Sequence, residues 1–303
     1  MTKKVGANKN KVRNHKPEQP LAEAAALSRH IKLALDVKPP AGMAFEARYQ
    51  FSKRMFKTRV IGTGNIPDCP CLFVGNHSLF ALDGMIVVPI LQKELGRFIR
   101  PMGDKVLFEN DAITKFLLKR GGVMGHPEVC SALMEAGQDL LVFPGGAHEA
   151  VKPKSELYSL QWKERHGFVK LAAKHGYTIM PFGLVGPDEF YSHLLEGSEL
   201  PASPLGRVMT YMGIINDETR ADLLPPIPRG SLGTLLPKPQ SCYLGFGQAV
   251  DLSAYKGKKL SQKKASELRS QAATEIEQQL SQLLLLREQN RGKDGLLRRL
   301  LTV

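Results

Sequence analysis

From Thr58 onward, short apolar runs alternate with stretches of helical periodicity, and this alternation limits the fold more than any other feature of the chain. Arg59-Val60-Ile61, Cys71-Leu72-Phe73-Val74, Phe98 to Met102, Gly121 to Met124, Leu140-Leu141-Val142-Phe143, Thr178 to Val185 and Ser241 to Phe246 read as strands. Helical spacing falls between them, over about Leu82–Leu95, Ala112–Lys119, Pro127–Ala136 and Trp162–His175. Strands that are apolar runs suit a sheet covered on both faces. The predicted fold class is α/β, with a mostly parallel central sheet flanked by helices, an N-terminal helical hairpin and a helical C-terminal tail.

The flanks differ in character. Residues 1–20 carry Lys3, Lys4, Lys9, Lys11, Arg13 and Lys16 against Glu18, which predicts a flexible basic arm. Residues 21–57 carry helical spacing on both sides of Pro39-Pro40-Ala41-Gly42, the expected hairpin. The central domain is placed at 58–252 and the helical tail at 253–303, with its strongest periodicity over Lys258–Leu286. Seven prolines punctuate 198–240, so that stretch reads as an irregular excursion forming a lid or partner surface.

Composition narrows the partners. Lys plus Arg number 42 against 29 for Asp plus Glu, a formal net charge of +13. That surplus favours an anionic partner such as nucleic acid, an acidic membrane face or a phosphate-bearing substrate. No basic-aromatic interleaving or nucleic-acid motif accompanies it, so nucleic acid is not expected. No apolar run approaches the roughly 18 residues of a spanning helix, and the polar start lacks a signal-peptide core. Four scattered cysteines read as reduced thiols, which places the chain in a cytoplasmic setting.

Three segments carry chemistry. In Val74-Gly75-Asn76-His77-Ser78-Leu79-Phe80-Ala81-Leu82-Asp83, a strand ends at a histidine and a helix opens with an acid. An imidazole with a pKa near 6.5 takes a proton from a hydroxyl at pH 7, and does so well when a carboxylate fixes its tautomer. A straight helix would place Asp83 about 240° round from His77. The two can meet only if the chain turns before the helix begins. The second segment, Phe143-Pro144-Gly145-Gly146-Ala147-His148-Glu149, ends a strand in two glycines whose amides suit a phosphate or an oxyanion. The third, Ile179-Met180-Pro181-Phe182-Gly183, places a proline in a strand, which predicts an edge or a bulge beside a cavity.

In this order, Asn-His-x5-Asp, Phe-Pro-Gly-Gly-x-x-Glu and Ile-x-Pro-Phe-Gly resemble the glycerolipid acyltransferase superfamily, in the Phe-Pro-Gly-Gly branch that holds the diacylglycerol acyltransferases. Leu160 to Phe168 resembles that branch too, and the likeness covers about residues 58–250. It implies an enzyme that moves a fatty acyl group from acyl-CoA or acyl carrier protein, as donor substrate, to a hydroxyl of a glycerolipid. His77 would be the general base and Asp83 its orienting carboxylate. Asn76, Arg120, Phe143, Pro144, Gly145, Gly146, His148 and Glu149 would bind substrate, and Lys105 and Arg120 would meet the donor phosphates. No metal or cofactor is implied. Five residues separate His77 from Asp83, where lysophosphatidic acid acyltransferases have four. His148 stands where they have a phosphate-binding arginine, which favours a neutral alcohol acceptor.

A water-insoluble acceptor implies peripheral attachment to the inner face of an anionic membrane. The basic arm, Leu283-Leu284-Leu285-Leu286 and Leu296 to Leu301 are candidates for the contact. The same pattern also suits a non-catalytic lipid-binding protein that keeps the fold.

Overall fold

The computed structural model describes residues 18–212, 215–216, 223–293 and 295–302. Its strands are β1 (Arg59–Ile61), β2 (Cys71–Gly75), β3 (Ile99–Gly103), β4 (Val123–Met124), β5 (Asp139–Val142), β6 (Thr178–Val185), β7 (Ser192–Leu195), β8 (Ile227–Arg229) and β9 (Tyr243–Phe246). Seven of them form one sheet in the order β1-β9-β6-β2-β5-β3-β4. The five from β6 to β4 are mutually parallel, whereas β9 runs antiparallel to β6 and carries β1 parallel to itself. This is the mostly parallel sheet that the apolar runs predict.

The helices are α1 (Glu18–Asp36), α2 (Met43–Phe56), α3 (Leu82–Leu95), α4 (Asp111–Leu118), α5 (Pro127–Glu135), α6 (Gly146–Ala150), α7 (Gly167–His175), α8 (Pro204–Tyr211), α9 (Gln262–Asn290) and α10 (Leu296–Thr302). Alternate residues of the strands feed two cores. Leu72, Val74, Leu140 and Ile179 pack with α5, α7 and α9, while Cys71, Phe73, Leu141 and Met180 pack with α2 and α3. Each fully buried Leu, Ile or Phe in these layers contributes about 1.5–3 kcal/mol relative to exposure.

The N-terminal helices pack differently from a hairpin. α1 lies on α5 and α2 lies on α3, so the Pro-Pro turn carries the chain from one face of the sheet to the other. His30 of α1 accepts a hydrogen bond from the Met124 amide at 3.2 Å, which occupies a main-chain donor of the edge strand β4. The expected basic arm lies outside the described residues up to position 17.

The C-terminal helix is part of the core. Ala265, Leu268, Ala272, Ile276, Leu280 and Leu283 form a buried seam along α9 against β6 and β9. Glycines at 183 and 245 let the helix come this close: a Cβ on Gly183 would stand 3.0 Å from the Gln279 Cβ, and one on Gly245 3.2 Å from Leu283. Leu283, read as a candidate for the membrane surface, is therefore spent on the sheet.

Pro181 sits in the central strand β6, between β2 and β9, and not at an edge. It does mark a bulge. Phe182 faces Phe246 and Ile179 faces Val250, so two residues of β6 oppose three of the returning chain. Gly247 donates to the Pro181 carbonyl at 3.0 Å, and the missing proline N–H falls where the ladder is already interrupted.

The proline-rich excursion is more regular than its composition suggests. β7 and β8 pair as an antiparallel ribbon, and α8 lies between them in the chain. Ser203 accepts from the Gly206 amide and Pro204 holds the first helical position, an N-terminal signal hidden among the other prolines. Trp162 to His166 is not helical. It forms a strap anchored by the buried Trp162, and α7 begins only at Gly167.

Candidate active site

The carboxyl ends of β2 and β5 lie side by side, and each ends in one of the chemistry-bearing segments. His77 follows β2 directly. The chain then turns through Leu79–Ala81 with Phe80 at φ 59° and Ala81 at φ 54°, two left-handed residues without the freedom of glycine. That strained turn supplies the change of direction the sequence requires, and α3 starts with Asp83 in its first turn.

The result is a close pair. His77 Nδ1 lies 2.7 Å from Asp83 Oδ2, with the His77 side chain 12% exposed and that of Asp83 1% exposed. The Ser78 amide donates to the same carboxylate oxygen at 2.7 Å and the Ser78 hydroxyl at 3.2 Å. Asp83 Oδ1 accepts from the Gly84 amide at 2.7 Å. The carboxylate is thereby held rigidly, and it holds the ring. His77 Nε2 has no protein hydrogen-bond partner among the described residues. Burial pushes the His77 pKa down, but the charge and hydrogen bond of Asp83, with a contribution from Glu149, outweigh it, so the pKa lies above the ordinary value.

The main chain of His77 is gripped as well. Glu149 Oε1 accepts from the His77 amide at 2.8 Å, and its other oxygen accepts from the Gln161 amide at 3.3 Å. Lys152 donates to the His77 carbonyl at 2.5 Å, to the Glu149 carbonyl at 3.2 Å and to Asp188 Oδ1 at 3.0 Å. Asp188 in turn accepts from the Tyr158 amide at 2.8 Å. Burial raises the Glu149 pKa to about 7 against the opposing pull of Lys152 and the two amides. Asp188 is raised by burial too.

The Gly-Gly turn is shaped from outside. Arg165 donates to the carbonyls of Pro144 and Gly145 at 2.8 and 2.7 Å. Gly145 leaves no room for a side chain, since a Cβ there would stand 1.9 Å from Glu149 Oε2. The Gly146 amide donates to the Phe143 carbonyl at 3.0 Å, so it is used within the turn and does not point to a ligand. Phe143 stacks on His77, and its ring meets Phe182 edge-on.

The structure therefore brings His77, Asp83, Phe143, Pro144, Gly145, Gly146 and Glu149 together. His148 lies beside them with Lys163 Nζ 3.0 Å from its ring. Two of the expected residues are placed differently. Asn76 spends both polar side-chain atoms on the main chain of Leu184, at 3.0 and 2.8 Å, and is 2% exposed, so it extends the β2–β6 ladder. Arg120 precedes β4 and therefore lies toward the opposite, amino-terminal edge of the sheet, folded over Phe116 at 3.6 Å. Lys105 is at the correct edge, after β3, but pairs with Glu23 at 2.6 Å.

Lys152, Arg165 and Asp188 escape a sequence reading, because lone charged residues in loops look like solvated ones. The weak signal for Arg165 is its place in the Leu160–Phe168 segment.

A carboxylate-held histidine beside a Pro-Gly-Gly turn, at the carboxyl edge of a mostly parallel α/β sheet, is an arrangement suited to acid–base chemistry. Residues 71–210 match the family model for diacylglycerol acyltransferase. Phytyl ester synthase 1 (chloroplastic) of Arabidopsis thaliana is 29% identical over 248 residues, covering 76% of this chain and 35% of that protein. Phytyl ester synthase 2 of the same plant is 30% identical over 237 residues, covering 72% and 33%. A "DGAT1/2-independent enzyme synthesizing storage lipids" of Gallus gallus is 28% identical over 153 residues, covering 48% and 46%. The chain thus spans less than half the length of these relatives. The solved structure of the lysophosphatidic acid acyltransferase PlsC of Thermotoga maritima aligns with a TM-score of 0.45 at 16% identity, covering 77% of this chain and 78% of that one. These likenesses support the glycerolipid acyltransferase superfamily.

Proposed function

We propose that the chain is an O-acyltransferase that moves a fatty acyl group from a thioester donor, acyl-CoA or acyl carrier protein, to a hydroxyl of a glycerolipid-like acceptor. The observation that carries this reading is the 2.7 Å contact between His77 Nδ1 and Asp83 Oδ2, which leaves Nε2 as the ring atom able to take a proton.

In the reaction, the acceptor hydroxyl gives its proton to His77 Nε2 as its oxygen bonds to the thioester carbonyl carbon. The tetrahedral intermediate collapses, the carbon–sulfur bond breaks, and the departing thiolate takes the proton back from the imidazolium. An ester and a free thiol result, with no covalent acyl-enzyme. Asp83 holds the ring in the tautomer with Nδ1–H and steadies the charged form. Phe143 covers one face of the ring, and Glu149 and Lys152 fix the peptide groups on either side of it.

The acceptor is read as a neutral alcohol. The plant and chicken relatives are named for an ester and for storage lipids, and His148 stands where the lysophosphatidic acid acyltransferases have a phosphate-binding arginine. A lipid acceptor calls for a membrane contact. Among the described residues no helix is long and apolar enough to cross a membrane. Attachment is therefore proposed to be peripheral, drawn to an anionic face by the net charge of +13. In α10, Leu300 is 61% exposed, while Arg298 is held by the carbonyls of Met55 and Pro239.

The test is transfer from labelled acyl-CoA to monoacylglycerol, diacylglycerol or a long-chain alcohol in mixed micelles. Wild type forms ester and free CoA in equal amounts, and His77→Ala forms neither. Ester formation by His77→Ala overturns the mechanism. Thiol release without ester would make the protein a hydrolase. Liposome binding without turnover across all donors would favour the non-catalytic lipid binder.

A further inference from the structure

A cavity of about 270 Å³ opens beyond the carboxyl end of β6, on the edge of the sheet that bears His77. Lys154, Asp188, Glu189, Tyr191, Ser192 and Lys238 are among the residues that line it. It borders the active site: its wall residue Asp188 holds the Lys152 that holds the His77 carbonyl, and Tyr191 meets the ring of Phe80 at 5.5 Å.

The charges in this cavity do not cancel. Asp188 is answered by Lys152 at 3.0 Å. Glu189 accepts from Tyr158 and is paired with Arg287. Glu196, just outside, is taken by His193 at 2.9 Å and by the Lys154 amide at 3.3 Å. Lys238 is different. It is 7% exposed, and its ammonium donates to the Ser192 hydroxyl at 2.7 Å, but no carboxylate pairs with it among the described residues. A buried cation is ordinarily paired, and this one lines the cavity with no carboxylate hydrogen-bonded to it among the described residues, Glu189 acting on it only from a distance. Burial, and after it the positive charges of Arg229 and Lys154, depress its pKa against the opposing pull of Glu189.

We propose that this cavity is a phosphate-binding site, with the Lys238 ammonium as its principal cation and Lys154 as its second, and that it takes the phosphate ester carried by one of the substrates. The proposal rests on the acyl-transfer reading for what brings the phosphate there. An ammonium suits such a ligand as a point charge, and a phosphate oxygen supplies the anionic acceptor that Lys238 lacks. The site also fills a gap in the active-site geometry. Arg165 is spent on turn carbonyls, Arg120 lies toward the far edge and Lys105 is paired, so none of them is placed to receive a phosphate beside His77.

The experiment is titration of the full chain at pH 7 with three probes, followed by calorimetry or amide chemical shifts. Inorganic phosphate reports the bare site, adenosine 3′,5′-bisphosphate the donor end, and glycerol 3-phosphate a lipid headgroup. The expected result is saturable, salt-sensitive binding of at least one probe, weakened about tenfold or more by Lys238→Gln and severalfold by Lys154→Gln. His77→Ala should retain the phosphate affinity. Tighter binding of the bisphosphate assigns the site to the donor, and tighter binding of glycerol 3-phosphate assigns it to a phosphorylated acceptor and replaces the neutral-alcohol reading.

No saturable binding of any probe, or wild-type affinity in both lysine variants, overturns the site. If Lys238→Gln does not fold, the exposed Lys154 decides alone: unchanged affinity in Lys154→Gln rejects the site, and a severalfold loss upholds it. Phosphate binding without acyl transfer would leave the site standing while the acyl-transfer reading falls. Acyl transfer with no phosphate binding would do the reverse.

Discussion

The ring of Phe143 lies parallel to that of His77, with centroids 4.4 Å apart and planes 8° from parallel. An aromatic face against an imidazole favours the imidazolium, and a contact of this kind is worth about 0.5–1 kcal/mol where partly exposed. Phe143→Leu keeps the bulk but loses the face. The His77 pKa should then fall by about 0.4–0.7 units, read from the ring-proton shifts in an NMR titration. Turnover should fall severalfold with little change in KM. An unmoved pKa would show that the stacking is only packing.

The Asp83 pair has a definite pH signature. Asp83 and its hydrogen bond hold the His77 pKa above the ordinary 6.5, and in the proposed mechanism His77 acts in its neutral form. The rate should therefore rise with pH through that raised value and be lost as pH falls below it. Asp83→Asn removes the charge but leaves the burial, so the acid limb should move to lower pH. The plateau rate should drop by about three to four orders of magnitude, as the wrong tautomer prevails.

Stability follows the same group in a fixed direction. The folded chain holds the ring proton more tightly than the unfolded chain. The stabilisation from the His77–Asp83 pair is therefore fully present below about pH 6.5 and is lost as pH rises through the raised folded value. Urea unfolding of wild type and His77→Gln across that window should show their difference shrinking with increasing pH.

Lys152 positions His77 through its main chain and touches no reacting atom. Lys152→Met leaves Asp188 buried without its cation, at a cost of about 3–5 kcal/mol. Adding Asp188→Asn should recover part of that stability. It should not recover kcat, because the His77 carbonyl still lacks its donor. A double variant with wild-type kcat would reduce Lys152 to a structural ion pair.

Gly145 is where the turn cannot accept a side chain. In Gly145→Ala the methyl group would collide with Glu149, which must then release the His77 amide. A loss of about 1–3 kcal/mol in stability and a fall in kcat beyond that of Gly64→Ala, where a Cβ meets nothing within 4 Å, are expected in unfolding and rate assays.

Much of this was legible from residue order alone. Apolar runs give strands and their burial, because strand and helix periods differ, and α3 runs over the same residues that the spacing predicts. The need for a turn between His77 and Asp83 also followed from helix geometry. Its means did not: left-handed Phe80 and Ala81 carry no compositional mark, since the surrounding contacts hold them there. Asn76 reads as a ligand in a motif, and only its distance to Leu184 shows that it closes a sheet ladder.

Local pattern thus specified most elements of the main sheet, the need for a turn between His77 and Asp83, and the glycines of the second turn, since each rests on neighbours in the chain or on a countable spacing. Which loops meet was settled by the fold. Strand order sets Arg120 toward the amino-terminal edge, wraps α1 and α2 onto opposite faces, and brings Lys152, and Asp188 through it, to a histidine that lies 75 or more residues away in the chain. Contacts of that range depend on the packing of whole layers, and a charged residue in a loop carries no sign of it until the layers close.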